Sequence, residues 1–247
     1  MKIIVTDLTR FANKNIVCLA GINPATGDCI RPMLPSQNGR LDYLTFQTVK
    51  NHNIIPGSCL EGNFVRQPNL SAPHVEDHRT VGFLKDGIAA TGAVFKQVLD
   101  ESSFTTLKAA FGELPVNRLY VLAAPPPLSI ITLKLTSPRT QFKLVADSGF
   151  GTLKLKANVK DATGYELFNL PVTDLGFCDH LAKIRESDPQ LIQLNSFIQT
   201  QRIVYLRIGL TRRYMPSPET PSREGYWVQL NGIYSFPNYR KEMRVYD

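Results

Sequence analysis

The sequence lacks the features that mark several common classes of protein. No uninterrupted apolar run approaches the roughly 18 residues that a membrane-spanning helix needs. The N-terminal segment, residues 1–7, has too short an apolar stretch for a signal peptide and no cleavage-like site. We therefore expect a cytoplasmic protein that does not associate with a membrane.

Cysteine is scarce and scattered. The four cysteines, Cys18, Cys29, Cys59 and Cys178, form no C-x-x-C pair, so neither a zinc knuckle nor a dithiol redox motif is indicated. We expect reduced thiols that are mostly buried.

Signatures of catalysis are also missing. The chain contains no G-x-x-x-x-G-K-[ST], no G-x-S-x-G and no H-E-x-x-H. We therefore predict that the protein is not an enzyme and uses no cofactor.

One set of residues leaves a metal-dependent alternative open. His74, Glu76 and His78 have period-two spacing, so on a strand all three would share a face. No further ligand accompanies them, and we expect no metal there. The alternative is a hydrolase acting on nucleic acid through these three side chains.

What the sequence does contain is typical of a globular β-rich protein. Its 247 residues are 43% hydrophobic and 20% charged, and its 17 Pro and 16 Gly favour short elements joined by turns. Strand-like runs dominate. Two hairpins are predicted, one turning through residues 23–28 and one through residues 161–164. Further strands are predicted over 202–210 and 226–236. Short helices are predicted around Phe95–Phe111 with a break near Ser102, over 177–185, and from Pro189 onward.

A run of three prolines divides the chain. Pro125, Pro126 and Pro127 cannot lie inside a helix or a central strand, and they favour a stiff extended linker. Long helices between strands, which a parallel α/β fold requires, are missing. We predict an all-β protein with short helices, built as two small tandem barrels or sandwiches over residues 1–127 and 128–247.

Positive charge is concentrated in the second part. The net charge is +7, and residues 117–247 carry +6 of it. An excess of this kind favours an anionic partner, with nucleic acid ahead of a membrane surface.

The strand over residues 153–160 alternates lysine with apolar residues. Lys154, Lys156 and Lys160 share one face with Asn158, while the apolar residues occupy the other face. Such a stripe suits a nucleic-acid groove, and it equally suits a solvated outer face that blocks edge pairing.

A second basic cluster lies where a strand gives way to a polar loop, residues 215–225. Arg212 and Arg213 carry guanidinium groups suited to phosphate, and the adjacent Tyr214 is able to stack on a base. Weaker candidates are the sole tryptophan, Trp227, and either Arg202 or Arg207, which point to opposite faces of one strand, so that only one of the two joins the groove. Arg31 is either a phosphate contact or a structural residue that pairs with the second domain.

The order of several short motifs resembles the prokaryotic dual OB-fold domain family. The motifs are Cys18–Ile22, Thr26–Pro32, Pro73–Asp77, Leu170–Asp174, Leu206–Arg212 and Trp227–Ile233. The resemblance implies two OB-like β-barrels that bind nucleic acid. From the helical spacing and the charge count of this sequence, we expect the first barrel to carry a helical insertion and the second to be more basic. Ile30 stands where the family pattern often has Trp, which removes one stacking ring from the first barrel.

These observations predict a non-enzymatic protein that binds single-stranded DNA or RNA through a basic groove and stacking aromatics. The predicted contacts are Lys154, Lys156, Lys160, Arg207, Arg212, Arg213, Tyr214, Trp227 and Arg31. The alternative is a protein-interaction scaffold or sensor subunit of a prokaryotic defence or mobile-element assembly. Its contacts would be the loop 215–225 and a helix carrying Leu191, Leu194 and Phe197.

Overall fold

The computed structural model describes residues 1–36, 41–68, 70–81, 88–115, 120–121, 125–147, 154–181, 189–215, 217–219, 224–244 and 246. The chain is mostly β, with short helices and curled sheets, as the alternating pattern predicts. None of the described helices is long and apolar enough to cross a membrane.

The elements before the three prolines are mostly short strands. In chain order they are β1 (Lys2–Arg10), β2 (Ile16–Ile22), β3 (Cys29–Pro35), β4 (Leu41–Asp42), β5 (Leu44–Thr45), α1 (Phe46–Asn51), β6 (Ser58–Glu61), β7 (Asn63–Arg66), β8 (Asp77–Val81), β9 (Ile88–Ala89), α2 (Gly92–Glu101), β10 (Ser103–Phe104), α3 (Leu107–Phe111) and β11 (Tyr120–Val121).

The elements after the prolines include the longest helix and the longest strand among the described residues. They are β12 (Ile130–Leu135), α4 (Pro138–Gln141), β13 (Phe142–Asp147), β14 (Lys154–Lys160), β15 (Glu166–Pro171), α5 (Leu175–Leu181), α6 (Pro189–Gln199), β16 (Val204–Leu210), β17 (Tyr226–Ser235) and a 3-10 helix (Lys241–Arg244).

Local sequence explains the turns and breaks between these elements. Both predicted hairpins are confirmed: β2 pairs with β3 and β14 pairs with β15, each antiparallel. Gly27 and Gly164 adopt positive φ in the two turns, a conformation that glycine adopts without steric cost. The break near Ser102 is also confirmed, because Ser102 caps the C-terminus of α2 and Thr106 caps the N-terminus of α3.

The strands of the N-terminal half form a ring. β1 pairs with β2, β2 with β3, β3 in parallel with β8, and β8 with β7. Only Gly62 separates β7 from β6, and β6 pairs with the free edge of β1, which returns the path to its start. The interior is apolar, and its fully or nearly buried side chains include Ile3, Val5, Leu19, Ile30, Leu60 and Phe64.

The C-terminal half is a curved, open path of strands. β12, β16 and β17 are antiparallel neighbours, and so are β13, β14 and β15. The two groups meet where Val172, just after β15, forms a parallel bridge with Leu230 of β17. At the other end α6 covers the edge of β13, since the Asn195 amide bonds both backbone groups of Leu144, at 2.7 and 2.9 Å.

Sheet membership changes before the three prolines. β10 pairs in parallel with β12, and β11 pairs with β17, although both precede residue 125. The sheets therefore divide near residue 102, N-terminal to the boundary that the prolines suggest.

The two halves pack face to face. Ile4 and Ile22 of the ring pack with Tyr205 and Tyr234 of the second half in one hydrophobic cluster, which α2 completes. β16 is consequently buried along its whole length, with one side in the C-terminal core and the other against the ring.

Candidate nucleic-acid interface

The outer surface of β13, β14 and β15 carries a concentration of cations. Side chains of β13 and β14 alternate between the core and this surface, because neighbouring strand residues point to opposite sides of a sheet. The surface, called the basic face below, comprises Arg139, Lys143, Lys154, Lys156, Lys160 and Phe168, with Asn158 at its centre. Arg139 lies in α4 beside it and is exposed.

Two carboxylates on the same face pair with two of its lysines. Lys156 Nζ lies 2.6 Å from Asp147 Oδ2, and Lys160 Nζ lies 2.5 Å from Glu166 Oε1. Both pairs are partly exposed, so each contributes little to stability and an incoming phosphate can replace the carboxylate. Among the described residues, five cations of this face stand against these two carboxylates.

A β-bulge presents an aromatic ring beside these cations. Leu167 and Leu170 of β15 both face the core, although they are three residues apart, because the register shifts opposite Asn158. Asn169 takes a φ of +52° in the bulge, and its N–H donates to Asn158 Oδ1 at 2.9 Å. Phe168 consequently points outward and is 41% exposed.

Phe168 borders an open groove of about 240 Å³. Arg139, Lys143 and Lys160 line the same groove, together with the amides of Asn158 and Gln199. An exposed ring next to cations is the arrangement on which single-stranded bases stack while their phosphates are neutralised.

The second predicted cluster lies on a hydrogen-bonded extension of the β16–β17 hairpin. The Trp227 backbone N–H donates to Thr211 Oγ1 at 3.0 Å, and Tyr214 and Gly225 exchange both backbone hydrogen bonds. Tyr214 is 55% exposed, and its ring meets the half-buried ring of Trp227 edge-on, with centroids 6.4 Å apart. The structure therefore brings these two predicted residues together.

Arg212 is oriented by a carboxylate of the other half. Its Nη2 lies 2.5 Å from Asp77 Oδ2, while the second oxygen of Asp77 accepts from Arg31 Nε, also at 2.5 Å. Burial alone would raise the pKa of Asp77, but the two guanidinium groups outweigh it and hold this pKa below its ordinary value. The Arg212 side chain keeps 48% of its surface exposed. Arg213 is more exposed and pairs with Glu224 at 3.0 Å.

His74 lies beneath this pair and is buried. Its Nδ1 is 3.1 Å from Arg31 Nη2, so the ring accepts a hydrogen bond in its neutral form. Burial lowers the pKa of His74 to about 3, and the charges of Arg212 and Arg31 act in the same direction.

Glu76 and His78, the other two residues of the possible metal site, form hydrogen bonds within the protein. Glu76 accepts from the Ser129 and Ile130 N–H groups, and His78 Nδ1 bonds the Glu76 carbonyl. No group of three metal-binding side chains occurs among the residues that the structure describes.

Arg207 lies inside the protein and is unable to contact a polymer in this conformation. It is 1% exposed, and its guanidinium bonds Asp7 Oδ2 and Thr132 Oγ1, each at 2.8 Å, and Cys29 Sγ at 3.3 Å. Its predicted role as a nucleic-acid contact is therefore replaced by a structural one, because Asp7 belongs to the ring and Arg207 to the second half.

Arg31 is likewise buried, at 3% exposure, and pairs with Asp77. Of the two roles predicted for Arg31, the structural one fits this position, because Asp77 also pairs with Arg212 of the second half.

Most of the apolar side chains of α6, the helix expected to contact a protein partner, are buried or partly buried in the protein's own core. Leu191 and Leu194 are buried in the C-terminal core, and Phe197 packs against that core beneath the Arg240 guanidinium. Only Ile192 of this helix is a large exposed apolar side chain, among those that the structure describes.

Sequence reasoning missed Arg139, Lys143 and Phe168. The signal for Lys143 was present, because Phe142, Leu144 and Ala146 alternate with it and predict its face. Phe168 could not be assigned from alternation, which the bulge interrupts.

Comparison of the chain with protein-family models, with curated proteins and with solved structures finds no match. The function is therefore inferred from the geometry of these surfaces.

Proposed function

We propose that this chain is a non-enzymatic nucleic-acid-binding protein that holds a single strand across its basic face. The observation that carries the proposal is the exposed Phe168 ring in a groove that Arg139, Lys143 and Lys160 also line. A ring of this kind stacks on an unpaired base, and a base inside a duplex does not offer its face. The strand is DNA or RNA.

Stacking and charge both contribute to the free energy of binding in this proposal. Stacking of one base on an aromatic ring contributes about 1–3 kcal/mol. Each lysine that contacts a phosphate releases a counterion and makes binding weaken with salt. Lys156 and Lys160 exchange Asp147 and Glu166 for phosphate, so they contribute less than Lys154, which is more exposed.

The order of the strands supports an OB-type reading of both halves, and with it membership of the dual OB-fold family that the sequence resembles. An OB fold is a five-stranded Greek-key barrel that binds its ligand on strands 2 and 3 and on the loops 1–2 and 4–5. The N-terminal ring has five strands once β6 and β7 are counted as one. In the second half, β12 and β13 together count as strand 1, and β14 and β15 correspond to strands 2 and 3. The start of the loop 4–5, after β16, carries Arg212, Arg213 and Tyr214.

The same correspondence with an OB fold supports binding by the second half alone. The corresponding outer surface of the ring carries Cys29 and Arg31, and the second half covers it through Arg207 and Ser129. Arg212, Arg213 and Tyr214 form a further candidate contact on the second half.

Fluorescence anisotropy with labelled single-stranded DNA, single-stranded RNA and duplex, each at two salt concentrations, tests the proposal. We expect salt-sensitive binding to one or both single strands and weaker binding to duplex. Phe168→Ala and Lys154→Gln are expected to weaken binding. Lys14→Gln, a substitution of an exposed lysine in the turn between β1 and β2, serves as the matched control.

Two results would contradict the proposal. One is the absence of binding at micromolar protein and low salt. The other is equal affinity for single strand and duplex that Phe168→Ala leaves unchanged, since a polymer held by charge alone makes no use of the ring.

A further inference from the structure

A second concave site lies at the seam between the two halves, and it is distinct from the groove beside Phe168. Its lining residues are Lys96 of α2, Arg202, Ile203, Tyr205 of β16 and Phe236. It shares none of them with the groove beside Phe168. The cavity, called the seam cleft below, has a volume of about 350 Å³, within the usual range for small-molecule sites.

The apolar wall of the seam cleft is packed against other aromatic rings. Phe236 packs edge-on against Phe95, with ring centroids 5.5 Å apart, and against Tyr205 at 6.1 Å. Tyr239 adds a third ring at 5.9 Å from Phe236. A ligand that rests against this wall meets a surface formed in advance and pays little ordering cost.

Two cations border this wall. Lys96 and Arg202 are exposed, and within the described part of the chain neither forms an ion pair. The nearby carboxylate, Asp100, is already matched: its Oδ1 accepts from Lys134 Nζ at 2.6 Å and from the Tyr205 hydroxyl at 2.8 Å. The charge that the seam cleft presents to a ligand is therefore positive.

We propose that the seam cleft binds a small phosphorylated planar-ring molecule of the size of a nucleoside monophosphate. A phosphate monoester carries a charge of about −1.5 to −2 near neutral pH, which matches one lysine and one arginine. Arginine adds a planar fork that bonds phosphate oxygens in pairs. Ile203 and Phe236 supply the apolar surface for the ring. This inference does not rest on polymer binding by the basic face.

Isothermal titration calorimetry on the full chain tests the proposal with three probes: adenosine 5′-monophosphate, adenosine and inorganic phosphate. We expect saturable binding of the monophosphate, and at least about tenfold weaker binding of each fragment, because each lacks either the ring or the charge.

Matched variants locate the site. Arg202→Gln and Lys96→Gln are each expected to weaken the monophosphate by about tenfold, and Lys14→Gln, which changes the net charge equally, is expected to have no effect. Arg202→Lys keeps the positive charge but lacks the planar guanidinium. Its affinity for the monophosphate is expected to lie between those of Arg202→Gln and Lys14→Gln. Phe236→Leu should weaken the monophosphate and leave phosphate unchanged.

Three results would overturn the proposal. They are no saturable binding at millimolar monophosphate, equal affinity in Arg202→Gln and Lys14→Gln, or loss of binding in Lys160→Gln with Arg202→Gln unaffected. The last result would move the ligand to the basic face. Failure of the seam cleft leaves polymer anisotropy unchanged, so the two proposals fail separately.

Discussion

A substitution at Arg207 distinguishes a structural role from a role in nucleic-acid binding, because the two roles predict different effects on stability and on affinity. The basic side chain of Arg207 lies in a strand of the basic half, yet the structure buries it against Asp7 of the ring. Replacing it by methionine removes the bonds to Asp7, Thr132 and Cys29 and leaves the Asp7 carboxylate, which is fully buried, without its counter-charge. Loss of one partner of a buried ion pair costs about 3–5 kcal/mol of the free energy of unfolding.

The assay is equilibrium unfolding in urea. With a slope of about 3 kcal/mol/M for a chain of this size, Arg207→Met should lower the midpoint by about 1 M or more. The double variant Asp7→Asn/Arg207→Met removes the unpaired charge and should recover about 1–2 kcal/mol relative to the single variant. Nucleic-acid affinity of the folded single variant should be unchanged. A variant as stable as the wild type that has lost nucleic-acid binding would refute the structural assignment.

Three further predictions concern the two surfaces of the candidate interface. Phe168→Ala should weaken single-strand binding by about 1–3 kcal/mol without changing its salt dependence, because stacking releases no counterion; anisotropy at several salt concentrations measures both quantities. Lys154→Gln with Lys156→Gln should lower the slope of log affinity against log salt by about 1.4, whereas Asp147→Asn, which releases Lys156, should tighten binding in the same titration. His74 has a folded-state pKa of about 3 against an ordinary 6.5, so the unfolded chain takes up a proton first. Stability should therefore fall as the pH drops below 6.5, by up to about 1.4 kcal/mol per pH unit, and urea unfolding of His74→Gln should show a flatter profile.

Short-range patterns predicted the local structure well. The turns at Gly27 and Gly164 require positive φ, and alternation in residues 154–160 separates lysines from core residues. These features depend on neighbours within a few positions, and the sequence displays those neighbours directly.

Long-range burial could not be predicted in the same way. Alternation places Arg207 opposite Leu206 and Ile208, but it does not reveal that the ring covers the outer side of β16. The partner that neutralises Arg207, Asp7, is 200 positions away. Counting back from Leu170 places Phe168 in the core, and only the bulge turns it outward.

The net positive charge that the second half presents at its surface is smaller than the charge counted along its sequence. Asp7 and Asp77, both from the first half, neutralise Arg207 and Arg212 of the second half across the seam. A count of charges along residues 117–247 therefore overestimates the positive charge at the surface, because these ion pairs offset part of it. Under the proposed function, the five cations of the basic face contribute at most about 3.5 to the salt slope on single strands. If the proposal is right, we expect the stacking of Phe168 to supply a large share of the affinity that remains at physiological salt.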